Sequence, residues 1–190
     1  MDKIENLGEI FLEHYEKYLG DFFERIVYRK NDEWPAIQLL KYRNVFEGCI
    51  TYATLGVSHY REVLKNNCEI VMAVDDSFDE CANLLANALF YVIERQFEFG
   101  RGIVIGGIEN INKEFASRCH KSALYFTETY SFPDDFSYIS DDKIGKIYMA
   151  FLISNSEHEF INENGADKFE ELLEASECDI FDVNRESIIE

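Results

Sequence analysis

Two short segments carry most of the information about the fold: TYATLGVSHY at residues 51–60 and CEIVM at residues 68–72. Both are rich in Thr, Tyr, Ile and Val, which favour strands, and Gly56 marks a turn after the first. They belong to a series of short strand-like segments separated by turn-prone Asn, Asp or Gly. The predicted strands are residues 22–29, 36–42, 49–55 and 69–74.

Helical periodicity flanks this series of strands. Apolar residues at three- and four-residue spacing predict an amphipathic N-terminal helix at residues 3–19. The longest apolar stripe predicts a helix at about 78–98. Ser77 and Glu80 fit a capping box at its start, and Gly100 fits a left-handed stop at its end.

The second half of the sequence predicts two more strands and two closing helices. Strands are expected at 124–129 and at 147–153, and the second is apolar on both faces, which is typical of a central strand. Ser156 and Glu159 fit the cap of a helix that ends at Gly165, and Phe169, Leu172 and Leu173 line the last helix. Strands and helices alternate irregularly, so we expect an α+β fold with a mixed β-sheet and packed helices.

Length and composition predict a single domain, residues 1–190, without repeats or linkers. The start lacks a secretory signal, and the longest apolar run has seven residues, so no export or membrane span is expected. Five scattered cysteines without C-x-x-C spacing predict neither a disulfide framework nor a zinc site. A reducing cytoplasm is the expected location.

The charge is strongly acidic and unevenly distributed. Lys and Arg number 18 against 37 Asp and Glu, a net charge of −19, which excludes direct phosphate-backbone binding and favours a basic partner. Residues 128–190 hold 17 acidic against 4 basic side chains, a net of −13, and residues 1–127 hold the other −6. The acidic third is either a solubilising surface or a docking face that steers a basic partner.

The motifs that could carry chemistry are weak. Cys119 and His120 are adjacent and point apart in regular structure, and Glu157-His158-Glu159 does not match a zinc-protease motif. Residues 100–107 contain four glycines but follow a helix and lack a phosphate-loop ending, so a helix stop and a turn explain them. His14 is expected to be a partly buried, hydrogen-bonded side chain. The sequence therefore assigns no catalytic, cofactor-binding or metal-binding residue.

Residues 51–60 and 68–72 together resemble the T-x-G-h-S strand and turn of the suppressor of fused family, where h is hydrophobic. The family's later features follow in order, from a long helix at 79–97 to a strand and acidic helix at 147–160. The hydrophobic segment with Gly102, the helix after Gly165 and the closing residues 182–185 also resemble it. The likeness covers about residues 34–189 and implies one suppressor-of-fused-like domain.

In bacteria, stand-alone domains of this kind are associated with polymorphic toxin systems as immunity proteins, or antitoxins, which neutralise a cognate toxin domain, often a nuclease. The resemblance therefore implies a protein-binding inhibitor rather than an enzyme, and it carries over no catalytic residue. In animals the family clasps a short peptide segment of transcription factors. The sequence leaves the toxin's identity and the oligomeric state open.

Charge and resemblance together predict that an acidic surface occupies the basic cleft of a toxin, with carboxylates in place of phosphates. A polar loop at 131–146 is the expected contact, because it places two aromatic residues, Phe136 and Tyr138, among its carboxylates. The predicted partner-binding residues are Asp134, Asp135, Phe136, Tyr138, Asp141, Asp142 and Glu157. Alternatively, Phe136 and Tyr138 only pin this loop to the core.

A second hypothesis is a peptide-binding adaptor that accepts a partner strand at an exposed sheet edge. Salt separates the two, because electrostatic mimicry loses association rate as ionic strength rises and strand addition does not. A hydrolase or transferase is the third interpretation, and no nucleophile, base and oxyanion set supports it.

Overall fold

The computed structural model describes residues 7–75, 78–139 and 144–189. In these residues one mixed sheet of eight strands forms the centre of the molecule, with the order β1-β2-β3-β4-β8-β6-β5, and β7 pairs with β8. The α+β fold predicted from the sequence is confirmed. The strands are β1 Glu24–Tyr28, β2 Ile37–Arg43, β3 Cys49–Leu55, β4 Cys68–Asp75, β5 Val104–Gly106, β6 Ala123–Thr127, β7 Tyr138–Ile139 and β8 Gly145–Ile153.

Seven helices cover the two faces of the sheet in the described part of the chain. They are α1 Leu7–Leu19, α2 Arg61–Leu64, α3 Glu80–Arg95, α4 Ile108–Ile111, α5 Lys113–Cys119, α6 Asn155–Asn164 and α7 Ala166–Ser176. Helices α2 to α5 pack on one face, and α1, α6 and α7 pack on the other. None of the helices in the described ranges is long and apolar enough to cross a membrane.

The core lies in two layers, one on each side of the sheet. Strands β1 to β4 form an antiparallel meander, and β4 then pairs in parallel with β8. Both central strands are buried on both faces, as the apolar run 147–153 predicted. Ten residues of α3 are buried against one face, which explains why this helix gave the strongest sequence pattern.

Several predicted boundaries need correction. Helix α3 ends at Arg95, with Gln96 in the left-handed conformation, so Gly100 is not its stop. Ser77 lies outside the described residues. The cap of α6 is formed by Ser154 and Glu157 rather than by Ser156 and Glu159. Residues 154–159, SNSEHE, contain two S-x-x-E patterns, Ser154 with Glu157 and Ser156 with Glu159. The contact of Glu157 with Arg185 favours the first pattern.

The end of α6 at Gly165 is confirmed. In α7, Phe169 and Leu173 are buried as predicted, but Leu172 is 42% exposed, so the core-facing stripe is narrower than expected. The glycine-rich segment 100–107 contains the short edge strand β5 as well as turns. Strand β5 and the short helices α2, α4 and α5 were not predicted, because three to seven residues carry too little periodicity.

Candidate interaction surface

The motif at residues 54–58 wraps a buried carboxylate. Glu69 on β4 is fully buried, and its Oε1 accepts hydrogen bonds from the backbone N–H of Gly56 (2.9 Å) and of Ser58 (3.1 Å) and from Ser58 Oγ (2.7 Å). Its Oε2 accepts from Thr54 Oγ1 (2.6 Å) and from the N–H of Val57 (3.2 Å). Five donors saturate the carboxylate, so the motif serves the fold and is not a surface for a partner.

Gly56 is required by this turn. Its φ is +115°, and a Cβ at this position would lie 2.4 Å from the carbonyl oxygen of Ala36. Only glycine fits such a backbone at that approach. Burial raises the pKa of Glu69 by penalising the charged form, and the hydrogen bonds from Thr54 and Ser58 oppose that shift.

Acidic charge is concentrated on one face of the molecule. Helices α1, α6 and α7, which we call the acidic helical layer, carry ten Asp and Glu against two Lys, a net of 2 − 10 = −8. Helices α2 to α5 on the opposite face carry five Glu against four Lys and Arg, a net of 4 − 5 = −1. Among the helices the acidic excess therefore lies on one face, although Glu157 of this count is buried and paired with Arg185.

The predicted contact loop is only partly exposed. Asp134 and Asp135 form a short 3-10 turn and are exposed, and Tyr138 on β7 is 37% exposed. Asp141 and Asp142 lie outside the described residues. Exposure leaves Asp134, Asp135 and Tyr138 available as contact candidates.

Phe136 is fully buried, so the prediction that it is a surface anchor is wrong. The alternative prediction, that this ring packs the loop against the core, is correct for Phe136. Its ring stacks on Phe132 at 4.6 Å between centroids and lies 5.6 Å from the ring of His14. His14 Nε2 also bonds the carbonyl oxygen of Phe136 at 3.0 Å, which confirms the predicted hydrogen-bonded histidine. Burial lowers the pKa of His14, and the hydrogen bond to the Phe136 carbonyl oxygen opposes that shift.

Glu157 is also wrong as a surface contact. It is fully buried, and Arg185 donates to it through Nη1 at 2.6 Å and Nη2 at 3.0 Å. Burial alone would raise the pKa of Glu157, but the hydrogen bonds and charge of Arg185 outweigh burial and hold it below the usual range. The pair fastens the segment around Arg185 to the start of α6.

A groove of about 680 Å³ beside α7 adds a feature that sequence reasoning missed. Tyr130 is 55% exposed on one wall, and Leu173 and Phe181 contribute apolar surface. Glu174 and Glu177 stand exposed along it. The acidic composition of α7 was visible in the sequence, but its position beside Tyr130 depends on the topology.

Strand β1 forms one edge of the sheet, and no other strand in the described ranges pairs with its outer side. Val27 is 46% exposed there, and Phe22 and Phe23 just before the strand are 38% and 43% exposed. The Arg43 guanidinium lies 4.2 Å from the centre of the Phe23 ring. An edge of this kind offers backbone donors and acceptors to an added strand.

The weak chemical motifs do not assemble into a site in the described ranges. Cys119 is buried in the core, whereas the next residue, His120, is exposed in the left-handed conformation at the end of α5. No group of three or more His, Cys, Asp or Glu side chains that could hold a metal ion occurs in the part of the chain that the structure describes.

Comparison with known proteins agrees with this architecture. The immunity protein YqcF of Bacillus subtilis is 28% identical over 149 residues, which cover 75% of this chain and 76% of YqcF. A crystal structure of a SUFU homologue from Neisseria gonorrhoeae superposes with a TM-score of 0.77 at 16% identity, covering 97% of this chain and 98% of that one. The crystal structure of the Sufu–Fu complex contains a chain with a TM-score of 0.65 at 10% identity, covering 97% of this chain and 91% of that one.

The sequence profile of one family matches most of the chain. The match spans residues 33–186, which include the buried Glu69, the 54–58 turn around it and the Glu157–Arg185 pair. The chain therefore belongs to the suppressor of fused protein (SUFU) family.

Proposed function

We propose that this protein is an immunity protein that binds and neutralises a cognate toxin domain through its acidic helical layer. Its similarity to YqcF supports the class of function. The observation that carries the proposal is the charge difference between the two helical faces, −8 against −1. A charge that served solubility alone would not need this imbalance between the two helical faces.

The proposed toxin is a nuclease with a basic cleft. Carboxylates of this protein occupy positions where the cleft would hold phosphates, and each pairs with an Arg or Lys of the toxin. Exposed aromatic side chains beside the carboxylates, Tyr138 and Tyr130, supply the desolvated contacts that set the lifetime of the complex. The charges chiefly set the association rate.

The proposed contact residues near Tyr138 are Asp134 and Asp135, together with Asp141 and Asp142 on sequence grounds. Glu171 and Glu174 on α7 extend the surface, since both are exposed on the acidic helical layer. Phe136 and Glu157 are excluded from it by their burial.

Co-expression tests the function. The toxin domain to use is the C-terminal domain encoded by the neighbouring gene, first shown to be lethal alone. We expect the wild-type chain to restore growth and to co-purify with that domain. If the toxin domain is active but the chain neither restores growth nor co-purifies with it, the immunity function is refuted for that pair.

Charge reversal tests the surface. The double variants Asp134→Lys/Asp135→Lys and Glu171→Lys/Glu174→Lys should each slow association with the toxin domain and reduce its salt dependence. The matched control is Glu62→Lys/Glu114→Lys, which makes the same charge change on the opposite face at exposed positions. Equal slowing by all three variants would show that only net charge matters and would refute a contact at the acidic helical layer.

The second candidate function is a peptide-binding adaptor, and the free β1 edge with exposed Phe22, Phe23 and Val27 favours it. A partner segment would pair with β1 as an added strand. Val27→Lys should then weaken binding, and the affinity should be nearly independent of salt. Binding that survives Val27→Lys but fails in the charge-reversal variants would reject this candidate.

A further inference from the structure

A polar cleft of about 750 Å³ lies between the end of α5 and the start of α6, apart from the predicted contact loop. It opens where β6 begins and β8 ends, and residues 184–187 line one side. Its volume is in the range of sites that hold small molecules. The cleft adjoins the start of α6 in the acidic helical layer, but none of the proposed toxin-contact residues in the described ranges lines it.

Lys121 is a buried cation in this cleft without an acidic partner. It is 2% exposed, and its Nζ donates to the carbonyl oxygen of Arg185 at 2.5 Å. Within the described ranges no carboxylate lies within 4 Å of it, whereas the other buried lysine, Lys41, contacts Glu24 at 2.9 Å and Asp79 at 3.1 Å. An ammonium has three donors, so the Lys121 side chain is under-satisfied for a buried charge.

Neighbouring carboxylates compensate this charge only in part: burial and the charge of Arg185 lower the pKa of Lys121, and the charges of Glu157 and Asp182 oppose that shift. Glu157 is engaged by Arg185, so two buried cations, Lys121 and Arg185, share one buried carboxylate. Arg185 Nε and Ser122 Oγ, both buried at the cleft, have no hydrogen-bond partner in the described part of the chain. The buried part of this site therefore holds two cations, one carboxylate and two unused hydrogen-bonding atoms, while the carboxylates of Glu109 and Glu186 are exposed at the cleft.

Three serine hydroxyls, hydrogen-bonded to one another and through Ser187 to the Ile189 carbonyl, meet at the same cleft, and a ligand would compete for these bonds. The hydroxyls of Ser154 and Ser156 lie 3.2 Å apart, and Ser187 Oγ lies 2.8 Å from Ser156 Oγ and 3.0 Å from Ser154 Oγ. The ten-residue helix α6 begins here with its positive dipole end; its capping box engages the N–H groups of Ser154 and Glu157, which leaves those of Asn155 and Ser156 in the first turn. Hydroxyls and a helix start beside a cation are the donor set that oxyanions bind.

We propose that this cleft binds a single phosphate group, free or carried by a small metabolite, with Lys121 as its charged donor and the serine hydroxyls as its neutral donors. The exposed carboxylates of Glu109 and Glu186 at the cleft oppose any extended polyanion. The site therefore suits one phosphate and not a nucleic-acid backbone. The surplus charge of Lys121 is what the ligand neutralises.

Calorimetry of the full-length protein tests the site with two probes, inorganic phosphate and glycerol 3-phosphate, against chloride at matched ionic strength. We expect saturable binding of one equivalent. Lys121→Met should weaken it about tenfold or more, because a charged hydrogen bond is lost. Lys113→Met, which removes an exposed lysine of α5 outside the cleft, should leave it unchanged.

Lys121 also holds the segment at Arg185, so Lys121→Met could unfold the chain rather than only lose the ligand. NMR of the wild-type protein tests the site without a substitution. Adding phosphate should change the backbone-amide chemical shifts of residues 121–122, 154–156 and 185–187. Tighter binding of glycerol 3-phosphate than of inorganic phosphate would identify a phosphorylated metabolite, and tighter binding of inorganic phosphate would identify the free ion. Absence of saturable binding, shifts confined to other residues, or equal loss in Lys113→Met would overturn the proposal.

Discussion

Among single residues, Gly56 has the most restricted position. Its positive φ and the 2.4 Å approach to the Ala36 carbonyl oxygen leave no room for a side chain. We expect Gly56→Ala to lower the free energy of unfolding by about 2–4 kcal/mol, because backbone strain and a steric clash add. Urea unfolding of the purified variant measures this loss.

The control for Gly56→Ala is Gly48→Ala. Gly48 also has a positive φ, +71°, but a Cβ there would meet nothing within 4 Å. Gly48→Ala should therefore lower the free energy of unfolding only by the cost of the left-handed backbone, about 1 kcal/mol. Equal losses in the two variants would contradict the role of the close approach to Ala36.

Glu69 is the residue around which the turn is built. Glu69→Gln would place an amide NH₂ group against backbone and hydroxyl donors, so we expect a loss of about 2–4 kcal/mol in the free energy of unfolding. Denaturant titration at neutral pH would reveal it. The same substitution at exposed Glu62 should change stability by less than about 0.5 kcal/mol. A Glu69→Gln variant as stable as the wild type would show that the five hydrogen bonds contribute little.

At the scale of elements, the Glu157–Arg185 pair joins the start of α6 to the segment at 182–189. We expect Arg185→Met to lower the free energy of unfolding by about 3–5 kcal/mol near neutral pH, because Glu157 would remain buried and unpaired. Lys30→Met, which removes one partner of an exposed ion pair with Glu94, should cost at most about 1 kcal/mol. Urea unfolding compares the two.

The same pair has a defined pH dependence. The folded-state pKa of Glu157 lies below its unfolded value of 4.5, so its contribution to stability is present above that pH. It should be lost as pH falls through the folded pKa, when the carboxyl gains a proton. The stability difference between wild type and Arg185→Met should therefore shrink in acid, and a constant difference from pH 7 to pH 3 would contradict this assignment.

The sequence predicted the long helix from its apolar period and the strands from their composition. Helix α3 was found because its apolar residues repeat over sixteen positions, and the strands around residues 22–74 because they are rich in Ile, Val, Tyr, Thr or Phe between turn-prone residues. Strand β5 and helix α4 were missed because three or four residues cannot establish a period. Residues with a partner distant in sequence, such as Glu157 with Arg185, were misassigned because composition does not reveal burial.

The candidate surface was predictable only as a charge imbalance. The excess in residues 128–190 was visible, but α1 adds to the same face from the other end of the chain. Phe136 and Tyr138 are two residues apart, yet one is buried and the other exposed. Sequence alone left both alternatives open for this loop, because what packs over it, α1, is set by the tertiary fold.

For the whole molecule, the net charge of −19 implies self-repulsion that salt should relieve. We expect the melting temperature to rise as sodium chloride is added at neutral pH. Glu171→Lys/Glu174→Lys should raise it further at low salt than Glu62→Lys/Glu114→Lys, because the first pair lies within the more acidic face. Scanning calorimetry at several salt concentrations measures both effects. A melting temperature that is independent of salt, or equal in the two variants, would contradict an energetic cost of the acidic helical layer.

The parallel seam between β4 and β8 has a consequence for how the chain folds. Cys68 on β4 pairs with Lys146 on β8, which is 146 − 68 = 78 positions away, whereas β1, β2 and β3 pair only with strands that are adjacent in sequence. The meander can therefore assemble early, and the seam must wait for the larger loop-closure entropy. Until it closes, two apolar strand edges are open to intermolecular pairing, so slow refolding and aggregation at high protein concentration should both originate at this seam.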